Sequence, residues 1–202
     1  MFFIRLIIVL NILVFLSWHL PMGFNSPGFM ENNFLISWIG LAEGRYWTLI
    51  TSAFSHNMFL HIFINMYVLY SFGSVVMRTL GVSRFLKFYF AAAIFSSFCH
   101  AAVSAFLLGE PQVPALGASG AIAGLILLFS LMYPKEKILL LGIIPMPAIV
   151  GALAFIGLDI WGLVAQAGGQ GLPIGHGAHL GGALAGILYY LNLRRKMRTI
   201  YV

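Results

Sequence analysis

The sequence predicts an all-α polytopic membrane protein with six transmembrane helices in a single domain, residues 1–202. Of its 202 residues, 61% are hydrophobic and 8% are charged, and the mean hydropathy is +0.97. Soluble domains contain roughly 45–50% apolar residues, so this composition excludes an ordinary soluble domain. The apolar residues also fall into six runs, each near the roughly 20 residues that a helix needs to cross a bilayer.

The six apolar runs follow one another along the whole chain. In order they are 3–20, 51–77, 85–108, 117–133, 141–165 and 174–193. The first contains one charge, Arg5, and no small-residue cleavage site, which favours a retained span over a removed signal peptide. The fourth run is short, and Pro145 and Pro147 interrupt the beginning of the fifth, because proline breaks a helix interior. The number of runs is therefore better defined than their ends.

The distribution of lysine and arginine predicts the orientation of the spans. If the N-terminus is inside, ten of the eleven basic residues also lie inside, and only Arg45 lies outside. The inner residues are Arg5, Arg78, Arg84, Lys87, Lys135, Lys137, Arg194, Arg195, Lys196 and Arg198. The positive-inside rule then places both termini in the cytoplasm. The basic tail suits the anionic lipids of the inner leaflet, so the pI of about 9.7 implies no nucleic-acid partner.

The N-terminal sequence also suggests a location. No transit peptide precedes the first run. We therefore expect an integral, multi-pass protein of a bacterial cytoplasmic membrane, surrounded by membrane lipids, with an organelle membrane as the alternative.

Polar side chains at membrane depth are costly, so each one needs a partner or a task. They are His56, His61 and Asn65 in the second run, Ser119 at the start of the fourth, Asp159 in the fifth, and His176 and His179 in the sixth. All except Asn65 lie in the outer half of the predicted membrane, where they can converge.

Ser119 and His179 each lie on a helix face that carries glycines at four-residue spacing. The glycines are Gly120 and Gly124 in the fourth run and Gly182 and Gly186 in the sixth. Small residues at this spacing let two helices approach closely in lipid. We therefore expect these two helices to pack together near the outer surface.

A serine beside a histidine permits nucleophilic acyl transfer. Ser119 would attack a carbonyl, and His179 would accept the serine proton and return it to the leaving amine. The helix that begins near Gly117 directs free backbone N–H groups at the developing negative charge. His61 and Asn65 are four residues apart, share a helix face, and are candidates for further donors.

Simpler interpretations of these residues have to be weighed. Alone, Ser119 is more commonly a small packing residue. His61 with Asn65 is about equally often an interhelical hydrogen-bonded pair, and a core histidine is the alternative for His179. The four together, at the same end of the membrane, favour a site. The four histidines, which are His56, His61, His176 and His179, also suggest zinc. No H-E-x-x-H motif occurs and no carboxylate neighbours them in sequence, so we predict neither a metal nor a cofactor.

Three spaced motifs together resemble the rhomboid family of intramembrane serine proteases. They are GASG at 117–120, the H-x-x-x-N of His61 and Asn65, and AHLGG at 178–182. The resemblance implies a rhomboid-like bundle of the minimal six-helix bacterial type, which cleaves transmembrane proteins. It implies Ser119 as nucleophile and His179 as general base in a dyad without an acid. His61, Asn65 and the Ser119 backbone would form the oxyanion hole, with His56 in a structural role.

Two positions depart from the pattern of that family. Many rhomboids have Trp-Arg in the first outer loop, whereas this chain has Trp47 followed by Thr48, with Arg45 two residues earlier. Some members also stack an aromatic residue one turn after the serine against the catalytic histidine, and here that residue is Ala123. His179 therefore needs another support, and Asp159 is one candidate. The alternative role of Asp159 is a hydrogen bond to a neighbouring helix.

Two other functions compete with proteolysis. A non-catalytic rhomboid-like protein would bind transmembrane segments, but such proteins generally lack the serine or the histidine, and this chain has both. A small transporter would show an inverted repeat or paired broken helices, and the sequence shows neither.

Overall fold

The computed structural model describes residues 1–19, 28–140 and 143–200, and within these residues the fold is mostly helical. The helices are α1 (Phe2–His19), α2 (Phe29–Phe34), α3 (Trp38–Ala42), α4 (Thr48–Thr51), α5 (Phe59–Leu80), α6 (Val82–Phe106), α7 (Ser119–Met132), α8 (Ala148–Ala167) and α9 (His176–Ile200). A 3-10 turn, Ser52–Phe54, follows α4, and strands β1 (Lys137–Leu140) and β2 (Ile144–Pro147) form an antiparallel hairpin.

Each of the six apolar runs contains one helix of at least 14 residues. Helices α1, α5, α6 and α8 are long and apolar enough to cross a membrane, whereas α7 has 14 residues and α9 ends in a basic segment. The end of the first run at residue 20 and the start of the fifth at 141 lie outside the described residues. That all six helices cross the bilayer, and that both termini are cytoplasmic, stay predictions.

The second run begins its helix later than the sequence predicted. α5 starts at Phe59 instead of residue 51, because the preceding Met58 is extended, with φ −122° and ψ 132°. His56, which the sequence analysis placed in the second helical run, therefore lies before the helix.

The fifth run is not helical throughout, and the fold is not purely α. Pro145 and Pro147 lie in β2, which pairs with β1 from Lys137 to Leu140. Proline lacks an N–H and cannot continue a helix from within, so α8 starts at Ala148, directly after Pro147.

α7 is the central helix of the bundle. Ten of its 14 residues are buried, compared with four of the 20 in α8, and its most extensive contact is with α9. A Cβ on Gly124 would lie 2.6 Å from the carbonyl oxygen of Gly182, and a Cβ on Gly182 would overlap the carbonyl of Gly120. The two backbones thus approach closely where both carry glycine, as the four-residue spacing predicted.

Candidate active site

Ser119 is the first residue of α7, and the chain reaches it through a turn that needs glycine. Gly117 has φ +118°, a conformation that other residues rarely adopt, and its N–H donates to the carbonyl of Ser52 at 2.9 Å. A Cβ at this position would also lie 2.7 Å from Cε1 of His61. The turn therefore places the serine hydroxyl and the His61 ring beside each other, at the free end of a helix.

His179 lies in the first turn of α9, opposite Ser119. Its Nε2 is 3.0 Å from the Ser119 Oγ, with the serine hydroxyl placed to donate. The close contact of α7 and α9 brings the two side chains together, since both are at the N-terminal ends of these helices. A neutral His179 that accepts at Nε2 carries its proton on Nδ1, so Nδ1 needs an acceptor.

Asp159 on α8 supplies that acceptor. Its Oδ1 accepts from Nδ1 of His179 at 2.9 Å and from Nδ1 of His176 at 2.7 Å. The resemblance implied a dyad without an acid, whereas here a carboxylate extends the Ser119–His179 pair into a chain of three groups. The side chain of Asp159 is only 6% exposed, and its Oδ2 has no hydrogen-bond partner among the described residues.

Phe155 supports the other face of the imidazole. Its ring centroid is 5.5 Å from that of His179, with 34° between the planes. Support for His179 thus comes from α8, and not from the Ala123 position of α7. The spacing of Phe155, Asp159 and Gly162 along α8 places all three on one helix face. That spacing in the sequence could have identified Phe155 as a neighbour of His179, but the comparison of motifs did not use it.

His176 is also a neighbour of Asp159. The sequence analysis did not pair these two residues. A Cβ on Gly162 would overlap the His176 ring, so the absence of a side chain there makes room for the imidazole. Between them, His176 and His179 offer two nitrogens next to one carboxylate. The ligand atoms of these three residues lie within 4.8 Å of one another, which is the spacing of a metal-binding group.

The second cluster of polar residues lies on the α5 side of Ser119. His56 is fully buried, and its Nε2 accepts from the backbone N–H of Ala118 at 3.3 Å and from Nδ2 of Asn65 at 3.0 Å. The His56 and His61 rings meet edge to face, 4.9 Å apart. His56 therefore binds the residue before Ser119. Asn65 uses one amide hydrogen on His56 and has a second one available.

A cleft of about 1220 Å³ opens onto these residues. Ser119, His179, His61 and Asn65 line it, together with the loop 169–175 between α8 and α9. The structure thus brings all four sequence-predicted side chains to one cavity, where a serine hydroxyl, an imidazole next to it, and further imidazole and amide N–H groups lie together. Such an arrangement permits acyl transfer to or from a chain segment in the cleft.

Comparison with known proteins yields one family. A family model described as "Rhomboid domain" matches residues 43–196. "RHOMBOID-like protein 12, mitochondrial" of Arabidopsis thaliana is 36% identical over 201 residues, covering 94% of this chain and 57% of that protein. "Rhomboid protein 1, mitochondrial" of Saccharomyces cerevisiae is 36% identical, with 89% and 50% covered. "Presenilin-associated rhomboid-like protein A, mitochondrial" of Danio rerio is 33% identical, with 91% and 45% covered.

These relatives set limits on what the similarity says. The chain spans about half the length of the curated relatives it matches. Their names place those proteins in mitochondria, whereas the N-terminal sequence led us to expect a bacterial membrane. What the apolar helices and the family model support together is an integral, multi-pass membrane protein.

Proposed function

This chain belongs to the rhomboid family, and we propose that it is an intramembrane serine protease with Ser119 as nucleophile and His179 as general base. The observation that carries the proposal is the 3.0 Å approach of Ser119 Oγ to His179 Nε2 in the lining of a cleft. A packing serine needs no imidazole partner. A non-catalytic binding protein needs neither group.

In the proposed reaction, Ser119 Oγ attacks the carbonyl carbon of a peptide bond while His179 Nε2 accepts the hydroxyl proton. The tetrahedral intermediate collapses, the C–N bond breaks, and the imidazolium returns the proton to the leaving amine. Water then repeats the sequence on the acyl ester, with His179 again as base, and Ser119 is released with its proton. Asp159 keeps the second imidazole proton on Nδ1 and stabilises the imidazolium that forms in each half-reaction.

We propose the backbone N–H of Ser119, His61 and the free amide hydrogen of Asn65 as the oxyanion hole. Ser119 is the first residue of α7, and the first N–H groups of a helix have no intrahelical acceptor. His56 holds the N–H of Ala118 and one hydrogen of Asn65, which orients the remaining donors towards the cleft. Fixed donors in a site with little water are worth more than donors at a surface.

The proposed substrates are transmembrane segments of other membrane proteins. In lipid, a helix satisfies its own backbone hydrogen bonds, so the segment must unwind locally before a carbonyl reaches Ser119. Polar residues of α5, α7 and α9 line the cleft, and the loop 169–175 forms part of its wall. The bacterial cytoplasmic membrane remains our prediction for the compartment.

Labelling with a fluorophosphonate probe tests the proposal, because such probes react only with an activated serine. We expect the purified protein in detergent to be labelled, and expect Ser119→Ala and His179→Ala to lose the label. Ser130→Ala is the matched control, since Ser130 is a fully buried serine on the same helix with no hydrogen-bond partner among the described residues. Absence of label on the folded wild-type protein would exclude the protease and favour a binding protein.

A further inference from the structure

Asp159, His176 and His179 form a buried group of metal-ligand type that extends beyond what peptide hydrolysis requires. We propose that these three residues bind one Zn²⁺ ion and that the bound ion inhibits the enzyme. The binding stands on the geometry of the three side chains alone. The inhibition rests on the proposed function of His179 as base.

The distances are close to those of a zinc site. In a tetrahedral site with metal–ligand bonds of about 2.0–2.1 Å, neighbouring ligand atoms are about 3.3 Å apart. Here Nδ1 of His176 and Nδ1 of His179 are 2.7 and 2.9 Å from the same Asp159 oxygen. The two nitrogens therefore need to move about half an ångström away from the carboxylate oxygen to admit the ion. All the ligand atoms already lie within 4.8 Å of one another, so the two imidazoles can close on the ion by small side-chain rotations.

The Asp159 carboxylate is poorly satisfied for a buried group. Its Oδ2 has no hydrogen-bond partner among the described residues, and its side chain is buried between α8 and α9. A buried carboxylate oxygen without a donor is costly, and a cation bound there would remove this cost. Two imidazoles and a carboxylate also select zinc over Mg²⁺ or Ca²⁺, which prefer sites made of oxygen ligands.

His176 is held in the orientation that the ion needs. Its ring occupies the space above Gly162, where any side chain would overlap it. Both His176 and His179 line the cleft that contains Ser119, so an ion can reach the group from the cleft. The ligands are thus preorganised and accessible.

The inhibition follows from where the imidazole proton goes. Zinc takes the Nδ1 lone pair of His179, so the single proton of the neutral ring moves to Nε2. Nε2 then faces Ser119 Oγ as a donor, whereas base catalysis needs it as an acceptor at the same 3.0 Å contact. The serine proton has no acceptor, and the ion also takes the carboxylate that would stabilise the imidazolium.

Zinc titration of purified protein in detergent, stripped of metal and mixed with a fluorescent zinc indicator, tests the binding. We expect one site in the wild type and in Ser119→Ala, which retains all three ligands. His176→Ala should weaken binding by more than about 100-fold, because loss of an outer-shell partner alone costs about 10–100-fold. His19→Ala is the control, since it removes one imidazole from α1, where Nδ1 bonds the carbonyl of Phe15.

The activity arm uses cleavage of a transmembrane substrate by the wild type. Zn²⁺ should inhibit in the concentration range in which it binds, and excess chelator should restore the rate. Loss of activity on chelation would overturn the proposal, because it would make the metal a catalyst. Binding that survives His176→Ala, or that His61→Ala removes, would overturn it as well. If fluorophosphonate fails to label Ser119, the protease proposal fails while the binding arm still decides the zinc site.

Discussion

Ser119 lies between two polar clusters that the fold holds in different ways. The α5 cluster, His56, His61 and Asn65, is tied to the backbone, because His56 bonds the N–H of Ala118. The α8–α9 cluster, Asp159, His176 and His179, is joined by side chains only. The carboxylate of this cluster belongs to Asp159 on α8, in which four of 20 residues are buried. In the neighbouring α7, ten of 14 residues are buried.

This difference separates the two tasks of the site. The α5 cluster shapes the N-terminus of the central helix, so its loss should disturb both folding and the proposed oxyanion donors. The α8–α9 cluster sets the proton positions of His179, so its loss should disturb chemistry more than folding. The variants below test that separation.

Asp159→Asn should have the largest effect, mainly on rate. An asparagine can donate to Nδ1 of His179, which stabilises the tautomer with its proton on Nε2 and leaves Ser119 without a base. The corresponding change in serine-protease triads lowers kcat by about 10⁴-fold. We expect kcat to fall by about 10²–10⁴-fold with little change in KM. Initial rates on a fluorogenic transmembrane substrate in liposomes measure this.

Thermal unfolding of Asp159→Asn in detergent is the control. The substitution is nearly isosteric, so the unfolding temperature should change little while the cleavage rate falls. A rate within about threefold of the wild type would show that Asp159 does not orient the base.

His56→Ala should act on both properties. It leaves the buried N–H of Ala118 and the amide of Asn65 without their shared acceptor. An unsatisfied buried donor costs about 1–3 kcal/mol. For a chain of this size, each kcal/mol lowers the unfolding temperature by about 2–4 °C.

His56→Gln provides the comparison, because a glutamine oxygen can replace the lost acceptor in part. We expect it to recover some of the unfolding temperature and some of the cleavage rate together. An unchanged unfolding temperature in His56→Ala would mean that the α5 cluster does not contribute more to folding than the α8–α9 cluster.

The sequence predicted those features that depend on local pattern. Gly124 and Gly182 indicated the close contact of α7 and α9, and that contact is present. Contacts between residues on different helices were harder to predict from the sequence. Asp159 and His176 are 17 residues apart on two helices, so only the loop between α8 and α9 brings them together.

Segment ends were predicted least well. Pro145 and Pro147 were recognised as an interruption, but not as one strand of a hairpin, because the pairing of β2 with β1 is a tertiary feature. His56 was assigned to a helix because the apolar run continues through it, although the 3-10 turn ends at Phe54 and both Ser55 and Met58 are extended. Hydropathy reports burial in lipid or protein and does not report backbone conformation.

Gly162→Ala and Gly157→Ala form a matched pair that probes the α8–α9 cluster with the smallest change. Both glycines are in α8, five residues apart. A Cβ on Gly162 would overlap the His176 ring, whereas a Cβ on Gly157 would meet none of the described residues within 4 Å. Overpacking a filled site costs about 1–3 kcal/mol, and alanine in an open helical site is favourable by up to about 1 kcal/mol.

We expect Gly162→Ala to displace His176 from Asp159. This variant should lower the unfolding temperature by a few degrees and reduce cleavage by about tenfold. Gly157→Ala should leave cleavage unchanged. Displacement of His176 alone leaves the Asp159–His179 contact of 2.9 Å in place, so the rate should fall less than in Asp159→Asn. Equal rates for the two glycine variants would mean that α8 can shift to accept a side chain at 162 without disturbing His179. The base would then be oriented independently of the position of α8, and the two clusters would not differ in the way described above.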